Sequence, residues 1–158
     1  MHARLAVGLS LLLACGTKAV VVEDVARLEQ EGFKPQAASL IEFPSKPSFM
    51  LKSYAKRGAV RVFFRAEGGK GLGNTRGWRT VDGLEISLEP NEFLTFGDGT
   101  ALFEGYADPE IVCLVRKNDD GSWIVQKAWR AHRSLQRFEG VPVSSVQCQR
   151  IESLKAQG

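Results

Sequence analysis

Leu84-Glu85-Ile86-Ser87-Leu88-Glu89 alternates apolar and polar side chains without a break. A period of two puts each set on its own face of an extended strand. The pattern recurs upstream, where Val60, Val62 and Phe64 alternate with Arg61, Phe63 and Arg65. Turn signals stand at Asp82-Gly83, Pro90-Asn91, Gly97-Asp98-Gly99, Asp108-Pro109 and Asn118-Asp119-Asp120-Gly121. They lie roughly 7–12 residues apart, the rhythm of consecutive antiparallel strands. Residues 92–96, 101–106, 110–116 and 122–129 fill the intervals as strands, and residues 141–149 supply a last one. The chain therefore reads as mainly β: an antiparallel β-sandwich or open barrel with one or two N-terminal or peripheral helices. Val21, Val22, Val25 and Leu28 fall at helical spacing and predict a helix within residues 20–32, stopped by Gly32, although the triplet Val20–Val22 equally suits the opening of a strand. Pro35, Pro44 and Pro47 predict an irregular crossing over residues 33–50.

Ahead of this domain, Arg4 precedes the apolar run Leu5-Ala6-Val7-Gly8-Leu9-Ser10-Leu11-Leu12-Leu13, and Ala14-Cys15 follows it. A run of nine residues falls short of the roughly 20 that span a bilayer, but suits the core of a signal peptide. An ordinary secretory cleavage site would want a small residue where Leu12 stands. Leu12-Leu13-Ala14-Cys15 resembles the lipobox of bacterial lipoprotein precursors. That resemblance implies cleavage after Ala14 and a diacylglyceryl group on the Cys15 thiol. It gives residues 1–14 as signal peptide, 15–19 as a short lipidated tether and 20–158 as one β-rich domain. Gly16 after the cysteine implies the outer membrane, facing the periplasm. Five extended tether residues reach at most roughly 17 Å, which holds the domain close to the bilayer.

With Cys15 acylated, Cys113 and Cys148 remain from an odd total of three. Both fall on inward-facing strand positions, and an oxidising periplasm permits their disulfide. Two separately buried thiols are the rival reading. Loss of Arg4 with the leader leaves 20 basic against 18 acidic residues. So mild a charge gives no reason to expect nucleic acid.

Motifs that carry chemistry are few. His132, the single histidine beyond the leader, lies beside Arg130 and Arg133 and reads as a solvated surface residue. Ser53-Tyr54-Ala55-Lys56 matches an S-x-x-K string without its companion elements and reads as a loop or helix start. Gly68-Gly69-Lys70-Gly71-Leu72-Gly73-Asn74 lacks the spacing of a phosphate loop and reads as a hairpin loop. Aligned as a calcium loop, Asn118–Gly121 would put Arg116 and Lys127 at ligand positions, so it is a turn. No catalytic, cofactor-binding or metal-binding set emerges, and no cofactor is expected.

Basic and aromatic residues cluster in three places, a composition suited to protein contacts. Lys70, Arg76 and Trp78 surround the glycine-rich loop. Arg61, Phe63 and Arg65 read as an outward basic face, and Arg130 and Arg133 flank His132. These eight are the candidate contacts with a partner or the membrane. The expected function is a non-enzymatic, membrane-anchored envelope lipoprotein that binds another envelope protein as an assembly or accessory subunit. A periplasmic inhibitor or immunity lipoprotein, with residues 68–77 as its plug, and a carrier of an apolar ligand are the alternatives.

Overall fold

The computed structural model describes residues 25–42, 47–70, 76–97 and 100–148. The leader, Cys15, the tether, residues 20–24 of the expected helix and residues 71–75 of the glycine-rich loop lie outside the described residues. Among the described residues, three antiparallel sheets form the fold, which is mainly β. The first takes the order β1 (Lys34–Ile41), β2 (Phe49–Lys56), β3 (Ala59–Lys70), β4 (Arg76–Ser87). The second contains β5 (Glu92–Phe96), β8 (Ile111–Lys117), β9 (Trp123–His132) and β10 (Arg137–Val141), ordered β10-β9-β8-β5. A small third sheet joins β6 (Ala101–Phe103), β7 (Tyr106–Ala107) and β11 (Val146–Cys148), with β6 in the middle of β11 and β7.

Alternation builds the core. Val60 pairs with Ile86 and Val62 with Leu84, so both sets turn to one face. Together with Ile41, Phe49, Leu51 and Phe64 they pack against Val112, Ala131 and Phe138 of the second sheet. Phe64 is the centre, stacked on Phe49 at 5.3 Å and tilted against Phe138 at 5.8 Å. The other face of β8 presents Ile111, Cys113 and Val115 to Ala101 and Val146 of the small sheet. The unbroken apolar run Ile111–Val115 is thus buried on both sides, which is why it does not alternate.

The N-terminal helix α1 (Val25–Gln30) ends where Gly32 adopts φ +82°. Phe33 N–H reaches the Leu28 carbonyl at 2.8 Å, and Gly32 N–H reaches that of Glu29 at 3.0 Å. This Schellman closure needs a residue that tolerates a left-handed backbone. It brings Leu28 and Phe33 onto Tyr54 and Phe63, on the outer face of the first sheet.

Several local expectations are corrected. Residues 34–41 form β1 rather than an irregular crossing: an edge strand tolerates Pro35, and a bulge between Pro35 and Ala37 absorbs it. Asp82-Gly83 is not a turn but lies within β4, beside a shift of register opposite Phe64 and Arg65. Residues 101–106 form a tight hairpin, because Glu104 and Gly105 take φ +51° and +86°, as a type I′ turn requires. The expected last strand over residues 141–149 is interrupted: Val141 ends β10, Val143–Ser145 form a 3-10 turn, and only Val146–Cys148 form β11. Ser53-Tyr54-Ala55-Lys56 is strand, with Ser53 and Tyr54 buried.

Candidate functional site

Antiparallel registers send the β1–β2, β3–β4, β5–β6, β7–β8 and β9–β10 connections to one end of the sandwich. The two large sheets are tied there. Arg79 Nη2 donates to Gln136 Oε1 on the β9–β10 turn at 2.9 Å, and Phe138 N–H donates to the Asp82 carboxylate at 2.7 Å. On the opposite flank, β1 and the end of β5 approach so closely that a Cβ on Gly97 would lie 2.9 Å from Ser39 Oγ.

This end collects many of the expected contact residues. Arg65 faces Thr80, Glu67 faces Trp78, and Lys70 faces Arg76 along the two arms of the β3–β4 hairpin. Those arms run past the last residue of β3 that β2 pairs, Ala66. Trp78 and Arg65 are half-buried. Arg130 and Arg133 lie at the same end but are engaged within the fold. Arg130 donates to Asp108 at 2.7 Å and lies over the Phe103 ring at 4.3 Å, while Arg133 donates to Glu110. The two arginines fasten the β7–β8 link onto β9. His132 Nδ1 accepts the Leu135 N–H at 3.4 Å, a local contact of the same turn.

Arg61 and Phe63 do not form an outward basic face. Phe63 is 1% exposed, edge-on to Tyr54 at 5.8 Å, because α1 and Phe33 fold across that side of the sheet. Arg61 covers the Phe33 ring at 4.4 Å and pairs with Glu31 at 2.6 Å and Glu85 at 3.0 Å. Burial opposes its charge, but the two carboxylates more than compensate and raise its pKa. Hydrogen bonds from Arg27 and then Arg61 lower that of Glu31.

A groove of about 470 Å³ opens at the same end, between β1 and the loops that follow β5 and β7. Ala38, Leu40 and Glu42 form one wall, and Phe96, Thr100 and Pro109 the other. The sequence reading missed it because Pro35, Pro44 and Pro47 concealed the strand that forms its wall.

Cys113 and Cys148 come together as two free thiols in hydrogen-bonding contact. That contact, and then burial, pushes the Cys113 thiol far above the usual range, whereas Cys113 stabilises the thiolate of half-buried Cys148. Among the described residues, no group of three potential ligands is placed to hold a metal ion. Comparison with protein-family models, curated proteins and solved structures gave no match.

Proposed function

We propose that this chain is a membrane-anchored lipoprotein of the bacterial cell envelope. Its non-catalytic β-domain binds another envelope protein as an assembly or accessory subunit. The observation that carries this reading is Leu12-Leu13-Ala14-Cys15 at the end of a nine-residue apolar run. Acyl chains on Cys15 would hold the chain on the membrane, each buried CH₂ contributing about 0.8 kcal/mol. From Cys15 to Val25, where α1 begins, ten residue steps reach at most roughly 36 Å. A partner must therefore lie near the bilayer. The end that gathers Arg65, Trp78, Arg79 and the groove offers it aromatic, cationic and backbone groups together, the composition of protein interfaces.

Radiolabelled palmitate should enter the wild-type protein and not Cys15→Ser, which should also leave the membrane fraction. Crosslinking in intact envelopes should then join the anchored protein to one stoichiometric partner. An unlabelled protein, or crosslinking with no such partner, overturns the reading. The projecting β3–β4 arms favour a second reading, an inhibitor lipoprotein whose hairpin enters a target's active site. Deleting residues 71–75 should then abolish inhibition of that target, and undiminished inhibition rejects the hairpin as the plug.

A further inference from the structure

We infer that the outer edge of β1 captures an extended, uncharged segment of the partner protein as an added β-strand. This rests on the reading that the domain binds another envelope protein, and it specifies how. β1 ends its sheet: β2 takes one edge. Among the described residues, no backbone group of residues 34–41 bonds to any main chain other than β2. The remaining row of N–H and C=O groups matches the backbone of another strand.

Edge strands are commonly blunted by charge, proline or bulges. Here those devices stop early. Lys34, Pro35 and the bulge before Ala37 guard the beginning of β1. Gln36-Ala37-Ala38-Ser39-Leu40-Ile41 then runs without a charge, and exposed Ala37 and Ala38 are too small to screen the backbone. The groove follows this unguarded half from Ala38 to Glu42. Its far wall holds Phe96, the last residue of β5, which also ends its sheet. A strand laid along β1 would seat alternate side chains against Phe96, Thr100 and Pro109. Ser39, Glu42 and Thr100 put polar groups on the groove walls, which suits a hydrogen-bonding backbone better than a lipid. The uncharged run also argues for an occupant that is uncharged along it, since a charge brought against those residues would lose water and gain no partner short of Glu42 at the groove's end.

The test uses the full mature chain in detergent micelles, with a fluorescein-labelled octapeptide of alternating threonine and valine as probe. Fluorescence anisotropy should rise saturably, and amide hydrogen exchange across residues 37–41 should slow about tenfold when the probe is bound. Ala38→Pro should abolish binding. Ala38→Lys, a change at an exposed position opposite Lys52 whose folding is checked by circular dichroism, should weaken it about fivefold. No saturable binding, equal binding by both variants, or protection elsewhere would overturn the inference. So would a dimer that Ala38→Lys dissociates, since the edge would then serve a second copy of the chain. If wild type and Ala38→Lys crosslink the envelope partner equally, the edge inference fails and the lipoprotein reading stands. If Cys15 takes no palmitate, that reading fails independently of the peptide result.

Discussion

The Asp82 carboxylate accepts the backbone N–H of Phe138 at 2.7 Å and so joins the edges of the two large sheets. Its other oxygen accepts the N–H of Gly83 at 2.8 Å, which holds β4 in the bent course it takes there. One side chain thus satisfies two main-chain donors where two edges meet. Asp82→Ala leaves both without that acceptor and should cost about 1–3 kcal/mol in urea denaturation. Asp82→Asn, with a single carbonyl oxygen, should fall between. A stability unchanged in Asp82→Ala would mean the sheets hold together without this bond.

Phe63 tests the outer face of the first sheet. An exposed aromatic would tolerate truncation, with changes within about 0.5 kcal/mol. Phe63 instead lies among Leu28, Phe33 and Tyr54. Phe63→Ala should cost about 3–5 kcal/mol, as large cavities in cores do. Leu28→Ala should be less than additive with it, because the two side chains share one cluster.

Phe63 also shows where sequence reading ends. Alternation in Val60–Phe64 correctly divides two faces, but it cannot reveal that a helix more than 30 residues earlier covers the second one. Leu84, Ile86 and Leu88 read directly because one side of that strand stays wet. Asp82-Gly83 misled, since a bulge uses the same residue types as a turn. Pro35 misled because proline argues against a strand only where its missing N–H would be needed, and β1 is an edge. The basic residues of the candidate site were legible as a composition. The acids that engage several of them, Asp108 and Glu110 above all, lie more than 20 residues away in sequence.

Glu31 supplies a pH dependence of known sign. Arg27 and Arg61 lower its pKa below the ordinary 4.5 in the folded protein. The unfolded chain therefore binds the proton more readily, and acid destabilises the fold. The contribution is complete above the unfolded value and disappears as pH falls through the folded one. Glu31→Gln should be less stable than wild type by a constant margin at neutral pH. In urea titrations that margin should shrink steadily below about pH 4.5. A margin independent of pH would show that the ion pairs with Arg27 and Arg61 do not form in solution.

Gly97 is held for two separable reasons. Its φ of +100° is one that other residues rarely adopt, and a Cβ would press on Ser39. Gly97→Ala should cost about 1–3 kcal/mol for the backbone alone. Adding Ser39→Ala removes the crowding hydroxyl but not the backbone strain, so the double variant should recover part of the loss. Full recovery would assign the whole cost to the hydroxyl's crowding, and no recovery would assign it to the backbone together with the residue-39 Cβ, which stays 3.1 Å away.

The cysteine pair gives the sharpest statement about compartment. Cys113 is buried on β8 and Cys148 sits half-buried on β11, a strand that pairs with β6 through only three residues. If the domain resides in an oxidising compartment, a disulfide-bearing oxidant takes two electrons from the pair and leaves as two thiols. Cys148 attacks first, since it is the more accessible of the two thiols. The bond would close a loop of about 36 residues and add about 3–4 kcal/mol by restricting the unfolded chain. Protein taken from envelopes with its free thiols blocked should incorporate no alkylating reagent on denaturation, and reductant should lower its denaturation midpoint. Cys148→Ser should be as unstable as the reduced wild type and indifferent to reductant. If denaturation instead exposes two alkylatable thiols, the pair is a buried dithiol, and the third sheet is held on β8 by apolar packing around Val146 and Ala101 without a covalent link.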